Sequence, residues 1–89
     1  MYEIFLSSEF KKDAKKLSKN DLNLVGEILD RLASGEKLEP KHKDHPLVGN
    51  FKGRRECRIK PDLLLVYKKV DEILVINALR ISNYSKIFK

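Results

Sequence analysis

One stretch, KDHPLVGNFKGRRECRIKPDLLLVYK from Lys43 to Lys68, constrains the fold more than any other. Its last part, Leu63 to Tyr67, is apolar on both faces, which is the pattern of a central strand covered on both sides. Before it, Phe51 to Ile59 alternates, placing Arg54, Glu56 and Arg58 on one face and Arg55, Cys57 and Ile59 on the other. Lys68 to Glu72 turns the chain, and Ile73 to Leu79 makes the next strand, with Arg80 where it emerges from the core. A three-strand meander of this kind needs a layer of helix to cover one face.

The preceding residues supply that layer. Tyr2, Ile4 and Leu6 alternate with Glu3 and Phe5 as a short strand expected to join the same sheet. Ser7 or Ser8 can cap a first helix carrying Phe10, Ala14 and Leu17, with Lys11, Lys12, Lys15, Lys16 and Lys19 over the rest of its surface. Those lysines read first as a solvated face of a basic protein, with phosphate binding as the sharper alternative. Ser18 and Asp21 have capping-box spacing for a second helix near Asn20, with an apolar stripe of Leu22, Val25, Ile28, Leu29 and Leu32 and a left-handed stop at Gly35. Gly26 inside that helix costs roughly 1 kcal/mol against alanine unless a close neighbour recovers it. Glu36 to Asn50 is a long loop, anchored to the core by Leu47 and Val48, in which His42, between two lysines, is expected to be exposed and idle. Ser82 can cap a last helical turn carrying Tyr84, Ile87 and Phe88.

The order is β-α-α-β-β-β with a short C-terminal helical turn: an α+β fold, an antiparallel sheet with a helical hairpin on one face. At 89 residues there is room for one domain, 1–89, and no second core. No apolar run is long enough to cross a bilayer, and MYEIFLSSEF has no basic region before its apolar part, so neither a membrane span nor a signal peptide is expected and the expected location is cytoplasmic. The single Cys57 lacks an internal disulfide partner and reads as a small buried hydrophobe, with a nucleophilic pairing to His45 as the sharper alternative. Lys and Arg outnumber Asp and Glu by 19 to 13, a net charge of +6 that attracts polyanions, nucleic acid first and an acidic protein second.

The side chains around the loop suit metal-free RNA cleavage. RNA carries its own nucleophile, the 2′-hydroxyl, so the protein need only take that proton, protonate the departing 5′ oxygen and stabilise charge on the phosphate. His45, stiffened by Pro46, can exchange protons near neutral pH, though a surface histidine bonded to nearby backbone has the same letters. Asp62 follows Pro61 at the head of the apolar strand, where beside Arg58 it would be ordered and partly desolvated; a plain turn-forming aspartate is the alternative. Arg58 and Arg80 can grip a phosphate with paired hydrogen bonds and Lys52 and Arg54 can extend the track, unless these cations simply pair with Glu56 or Asp71. No ligand spacing for a metal and no glycine-rich phosphate loop is present, so no cofactor is expected.

The same stretch resembles YafQ-type toxins of the RelE superfamily, through D-H-P-L, then R-E, then P-D and an apolar strand ending in Tyr67. The resemblance covers the whole chain. It implies a RelE-like microbial RNase fold, cleavage of mRNA in association with the ribosome, a cognate antitoxin that covers the active face, and operator DNA contacted only through the antitoxin complex. It marks His45 and Asp62 as functional and Phe88 as the terminal aromatic, expected to stack on a base. Arg58 and Tyr84 stand where the family usually has histidines, so arginine supplies charge without a readily exchanged proton, and tyrosine, with an ordinary pKa of about 10, is a slower acid or base. Those two departures leave a non-catalytic or weakly active family member, binding only an antitoxin or RNA, as the alternative reading. A plain DNA-binding module is disfavoured, because neither helix carries a basic recognition surface.

Overall fold

The computed structural model describes residues 1–87. The elements are β1 (Glu3–Leu6), α1 (Ser8–Ala14), α2 (Lys19–Ala33), β2 (His45–Pro46), β3 (Arg55–Lys60), β4 (Leu63–Val70), β5 (Val75–Ser82) and α3 (Tyr84–Ile87), with single 3-10 turns at Pro40–His42, Gly49–Phe51 and Asp71–Ile73. The five strands form one sheet in the order β1-β5-β4-β3-β2. β4, which carries the apolar run, is therefore the central strand, and Leu63 through Tyr67 are all buried.

Both helices start where a serine can cap them. Ser7 accepts the Phe10 N–H at 3.0 Å and Ser18 accepts the Asp21 N–H at 3.1 Å, each satisfying an amide that the helix leaves free. Asp21 does not close the reciprocal half of a capping box; its carboxylate pairs with Lys60 at 3.1 Å and ties α2 to the end of β3. The first helix stops at Ala14, so the five lysines do not share one helical face: Lys15 and Lys16 lie in the turn and Lys19 opens α2. Gly35, at φ +85°, follows the Ser34 cap and stops α2 in the left-handed conformation that glycine adopts without strain.

Val25, Ile28, Leu29 and Leu32 of α2 and Phe10 of α1 pack on Cys57, Ile59, Leu63, Leu65, Tyr67, Ile76, Ala78 and Ile81 of the sheet. Leu22, at the edge of the α2 stripe, remains 41% exposed. Leu64 and Val66 are buried on the opposite face of β4, which carries no helix of the hairpin.

The sheet is mixed, where the sequence pattern predicts an antiparallel one. β1 pairs in parallel with β5, Ile4 opposite Ile76 and Leu6 opposite Ala78. Parallel pairing requires a long connection, and the chain leaves β1 through the helical hairpin before it builds the meander, so nothing forces β1 into a hairpin with its neighbour. β1 is also shorter than β5, and α1 occupies the edge beyond it. Ser7 N–H donates to the Ala78 carbonyl at 3.0 Å, Ser7 Oγ–H to the Leu79 carbonyl at 2.8 Å, and Ile81 N–H to the Asp13 carboxylate at 3.1 Å. Backbone groups that a strand would have paired are thereby satisfied by a helix and its cap.

A Cβ placed on Gly26 would meet nothing within 4 Å, so no close approach explains that glycine. Gly26→Ala is expected to raise stability by about 1 kcal/mol from helix propensity alone. A urea titration showing no gain in midpoint at constant slope would mean that α2 is not held as a regular helix there.

Candidate active site

The loop carrying His45 is held at two points, and the first is Asp44. Asp44 accepts a hydrogen bond from the Tyr67 hydroxyl at 2.6 Å and one from Arg55 Nε at 3.3 Å, and Arg55 Nε also lies 3.3 Å from the Tyr67 oxygen. Tyr67 is only 1% exposed, so its hydroxyl requires a partner inside the protein, and Asp44 is that partner. Burial first, then the Asp44 carboxylate, pushes the Tyr67 hydroxyl far above its ordinary value and keeps it a donor. Burial alone would lower the Arg55 guanidinium, but Tyr67 and Asp44 outweigh it and raise it.

The second anchor is His42, and it corrects the expectation of an exposed, idle histidine. His42 is 7% exposed and its Nδ1 lies 2.6 Å from the Arg58 carbonyl. A carbonyl can only accept, so Nδ1 carries the hydrogen. β2 is two residues long and pairs only with Arg55 and Glu56, so the imidazole covers β3 where that strand has run out of partner. Between the two anchors Lys43 takes φ +48°, a left-handed conformation costing a non-glycine residue about 1–2 kcal/mol, which the bonds at His42 and Asp44 offset. Leu47 and Val48 do not anchor the loop: Val48 is 81% exposed and Leu47 only half-buried.

His45 follows directly. Its Nδ1 faces the Lys43 carbonyl, which assigns the hydrogen to Nδ1 and leaves Nε2 as the proton-exchanging atom of the neutral ring. Nε2 lies 3.8 Å from a carboxylate oxygen of Glu56, a buried acid on β3 that forms an ion pair with the ring when the ring is protonated. Strand register then sets a row across the sheet: His45 is opposite Glu56, Glu56 opposite Val66, and Val66 opposite Arg80. Residues opposite one another share a face, so all four sit on the face away from the helical hairpin, spanning about 14 Å at about 4.8 Å per strand. The next row on that face holds Arg58, Leu64 and Ser82. Arg58 stands two residues along β3 from Glu56, about 7 Å away.

Of the residues singled out in the sequence, His45, Arg58 and Arg80 are thus brought to one face. Asp62 is not held as expected. It is exposed at the β3–β4 corner, makes no ion pair with Arg58 among the described residues, and lines a polar cleft with Lys16, Lys60, Asn83 and Lys86. Arg58 lines a different groove, with His42, Lys43 and Ile59, and Lys60 borders both. The reason is local: the corner turns the carboxylate past the end of the sheet before β4 begins. Arg80 does not pair with Glu56 or Asp71 but with Asp13, and Asp71 accepts the Tyr2 hydroxyl. Lys52 and Arg54 are exposed beside the loop, and Tyr84 opens α3. Phe88 lies outside the described residues.

Cys57 is fully buried, and burial, followed by the nearby Asp44 and Glu56, pushes its thiol up to about 12. It is protonated at neutral pH and sits on the helix-facing side, away from His45, so it serves as core. Among the described residues no three His, Cys, Asp or Glu side chains gather as a metal site, and no helix is long and apolar enough to cross a membrane.

Comparison with known proteins places this α+β chain, with its pinned histidine loop, in a class of bacterial toxins. The family model of the YafQ bacterial toxins of type II toxin–antitoxin systems matches residues 2–89, and the chain belongs to that family. It is 35% identical over 75 residues to the mRNA interferase toxin YafQ of Escherichia coli K12, covering 81% of this chain and 82% of that protein. The crystal structure of a metal-bound toxin from Helicobacter pylori, 43% identical, superposes with a TM-score of 0.89 over 99% of this chain and 100% of the other. YafQ in the E. coli DinJ-YafQ complex, 29% identical, gives 0.87 over 100% of both chains.

Two outcomes test this geometry. Tyr67→Phe removes the hydroxyl that Asp44 accepts and is expected to cost about 1–3 kcal/mol, read from the urea midpoint; an unchanged midpoint would mean the Asp44 bond is not formed. The second concerns Asp13. Burial works to raise its carboxyl, but the hydrogen bonds from Arg80 and the Ile81 N–H and the charges of Arg80 and Lys16 outweigh that and hold it below the ordinary carboxylate value. Its contribution to stability is therefore complete above the unfolded-chain value of about 3.9 and is lost as pH falls through the lower folded value. Asp13→Asn is expected to lose stability at neutral pH and to show a shallower decline below about pH 4. Parallel acid limbs for the two proteins would contradict it.

Proposed function

We propose that this toxin is an endoribonuclease that cuts mRNA by internal attack of the 2′-hydroxyl and so inhibits translation. Family membership supports the activity, and the observation that carries the site is the cross-strand row of His45, Glu56, Val66 and Arg80 with Arg58 beside it. His45 Nε2 exchanges the proton, since Nδ1 is committed to the Lys43 carbonyl. Glu56 meets the charge of the protonated ring. Arg58 and Arg80 stabilise the charge that builds on the phosphate, with Lys52 and Arg54 extending the basic track along the loop.

Asp62 and Tyr84 are the candidates for the second proton transfer, Asp62 from the rim where substrate would have to order it. None of these steps requires a bound metal. The partner is an antitoxin protein, a reading supported by the complex that the related YafQ forms with DinJ. Messenger RNA on the ribosome is the proposed substrate, operator DNA is reached only through the antitoxin complex, and the site of action is the cytoplasm.

The test is primer extension on messages from a translating extract, comparing wild type, His45→Ala and Asp62→Ala. New ends are expected with wild type, reduced about 100-fold or more by His45→Ala. Intact message with wild type would favour a binding-only toxin, and undiminished cutting by His45→Ala would remove that residue from the mechanism.

A further inference from the structure

The Arg80 guanidinium is already held, by a residue on a different layer of the protein. Asp13, in the last turn of α1, accepts Arg80 Nε at 2.7 Å with one carboxylate oxygen and Arg80 Nη2 at 3.2 Å with the other. The first of those oxygens also accepts the Ile81 N–H at 3.1 Å, so the carboxylate is itself fixed to the backbone of β5. Its side chain is 12% exposed, against 32% for Arg80.

A guanidinium has five N–H donors in a planar fork. Asp13 occupies the edge formed by Nε and Nη2, and among the described residues Arg80 has no other hydrogen-bond partner. The outer edge, Nη1 with the second hydrogen of Nη2, makes no hydrogen bond among the described residues, and the charge of Glu9 adds to that of Asp13 in holding the guanidinium protonated. That edge matches the two oxygens of a phosphate.

The backbone is shaped to the same end. The β4–β5 ladder shifts register between Val66 and Tyr67, opposite Arg80 and Ala78, so Leu79 is an extra residue in β5. If Leu79 held an ordinary ladder position, Arg80 would alternate onto the helix-facing side; because the ladder passes Leu79 over, Arg80 takes the row of Val66, Glu56 and His45.

We propose that Asp13 is a positioning residue for RNA cleavage, holding the Arg80 guanidinium with its outer edge turned to the phosphate. The inference rests on the nuclease reading above, and it assigns α1 a part in the site that its lysines alone would not give. An arginine held at one edge loses little rotational freedom when it takes a phosphate at the other.

The experiment compares wild type, Asp13→Ala, Arg80→Ala and the double variant, each at a temperature where circular dichroism shows it folded. Asp13→Ala is expected to lower kcat/KM on RNA by about tenfold to a hundredfold and to add nothing in the Arg80→Ala background. A merely structural Asp13 would lower Tm while leaving kcat/KM of the folded protein within twofold, and that result, or additive losses, would overturn the proposal. Affinity for a non-cleavable oligonucleotide with 2′-deoxyribose at each position is measured in parallel. If wild type cuts no RNA, the nuclease reading fails; weaker binding by Asp13→Ala would still support the positioning role, and equal binding would overturn it.

Discussion

The Asp44 carboxylate, received by a tyrosine hydroxyl inside the core, is the interaction on which the site depends. Tyr67 belongs to the central strand and cannot move without disturbing Leu65, Cys57 and the helices packed on them. Its hydroxyl must be bonded, because an unmet buried hydroxyl costs about 1–3 kcal/mol. The loop residue that meets it is the one before His45. A requirement of the core thus becomes a constraint on the loop, and His42, bonded to β3 on the other side of Lys43, adds the second point needed to fix its orientation. The Lys43 carbonyl between them then assigns the tautomer of His45.

Charge is distributed in keeping with that arrangement. Several cations are met locally: Arg31 by Glu36 and Glu39, Arg55 by Asp44, Lys60 by Asp21, and Arg80 by Asp13. Arg58, Arg54 and Lys52 have no ion pair among the described residues, and they cluster around the loop and the sheet face. These three contribute to the overall excess of +6, as do Lys11, Lys12, Lys15 and Lys16 of α1 and the turn after it, which likewise have no ion pair among the described residues.

Much of this was legible in the sequence because it rests on local chemistry. The unbroken apolar run of β4, the two serine caps and the glycine stop each depend on neighbours a few residues away. So did the placement of Glu56 and Arg58 on the same face of β3, through its alternation. What was not legible depends on contacts between distant segments. Lys41 and Lys43 make His42 look solvated, and only the short β2 reveals that its ring covers a free strand edge. Val48 has the composition of an anchor, yet the loop is held by polar groups instead. Asp13 gives no local signal, since it meets Arg80 only because α1 takes the place of a strand along β5. The parallel pairing of β1 has the same origin. Asp62 looked like a desolvated carboxylate from its Pro61 corner, but the corner ends beyond the sheet.

The most direct measurement is a crystal structure of the toxin with a short RNA whose scissile ribose is 2′-deoxy. The account predicts the scissile phosphate on the sheet face opposite the helices, within hydrogen-bond distance of an arginine of that face, Arg58 or Arg80, with His45 Nε2 turned toward the sugar. An RNA bound instead along the lysines of α1, with the sheet face empty, would contradict it.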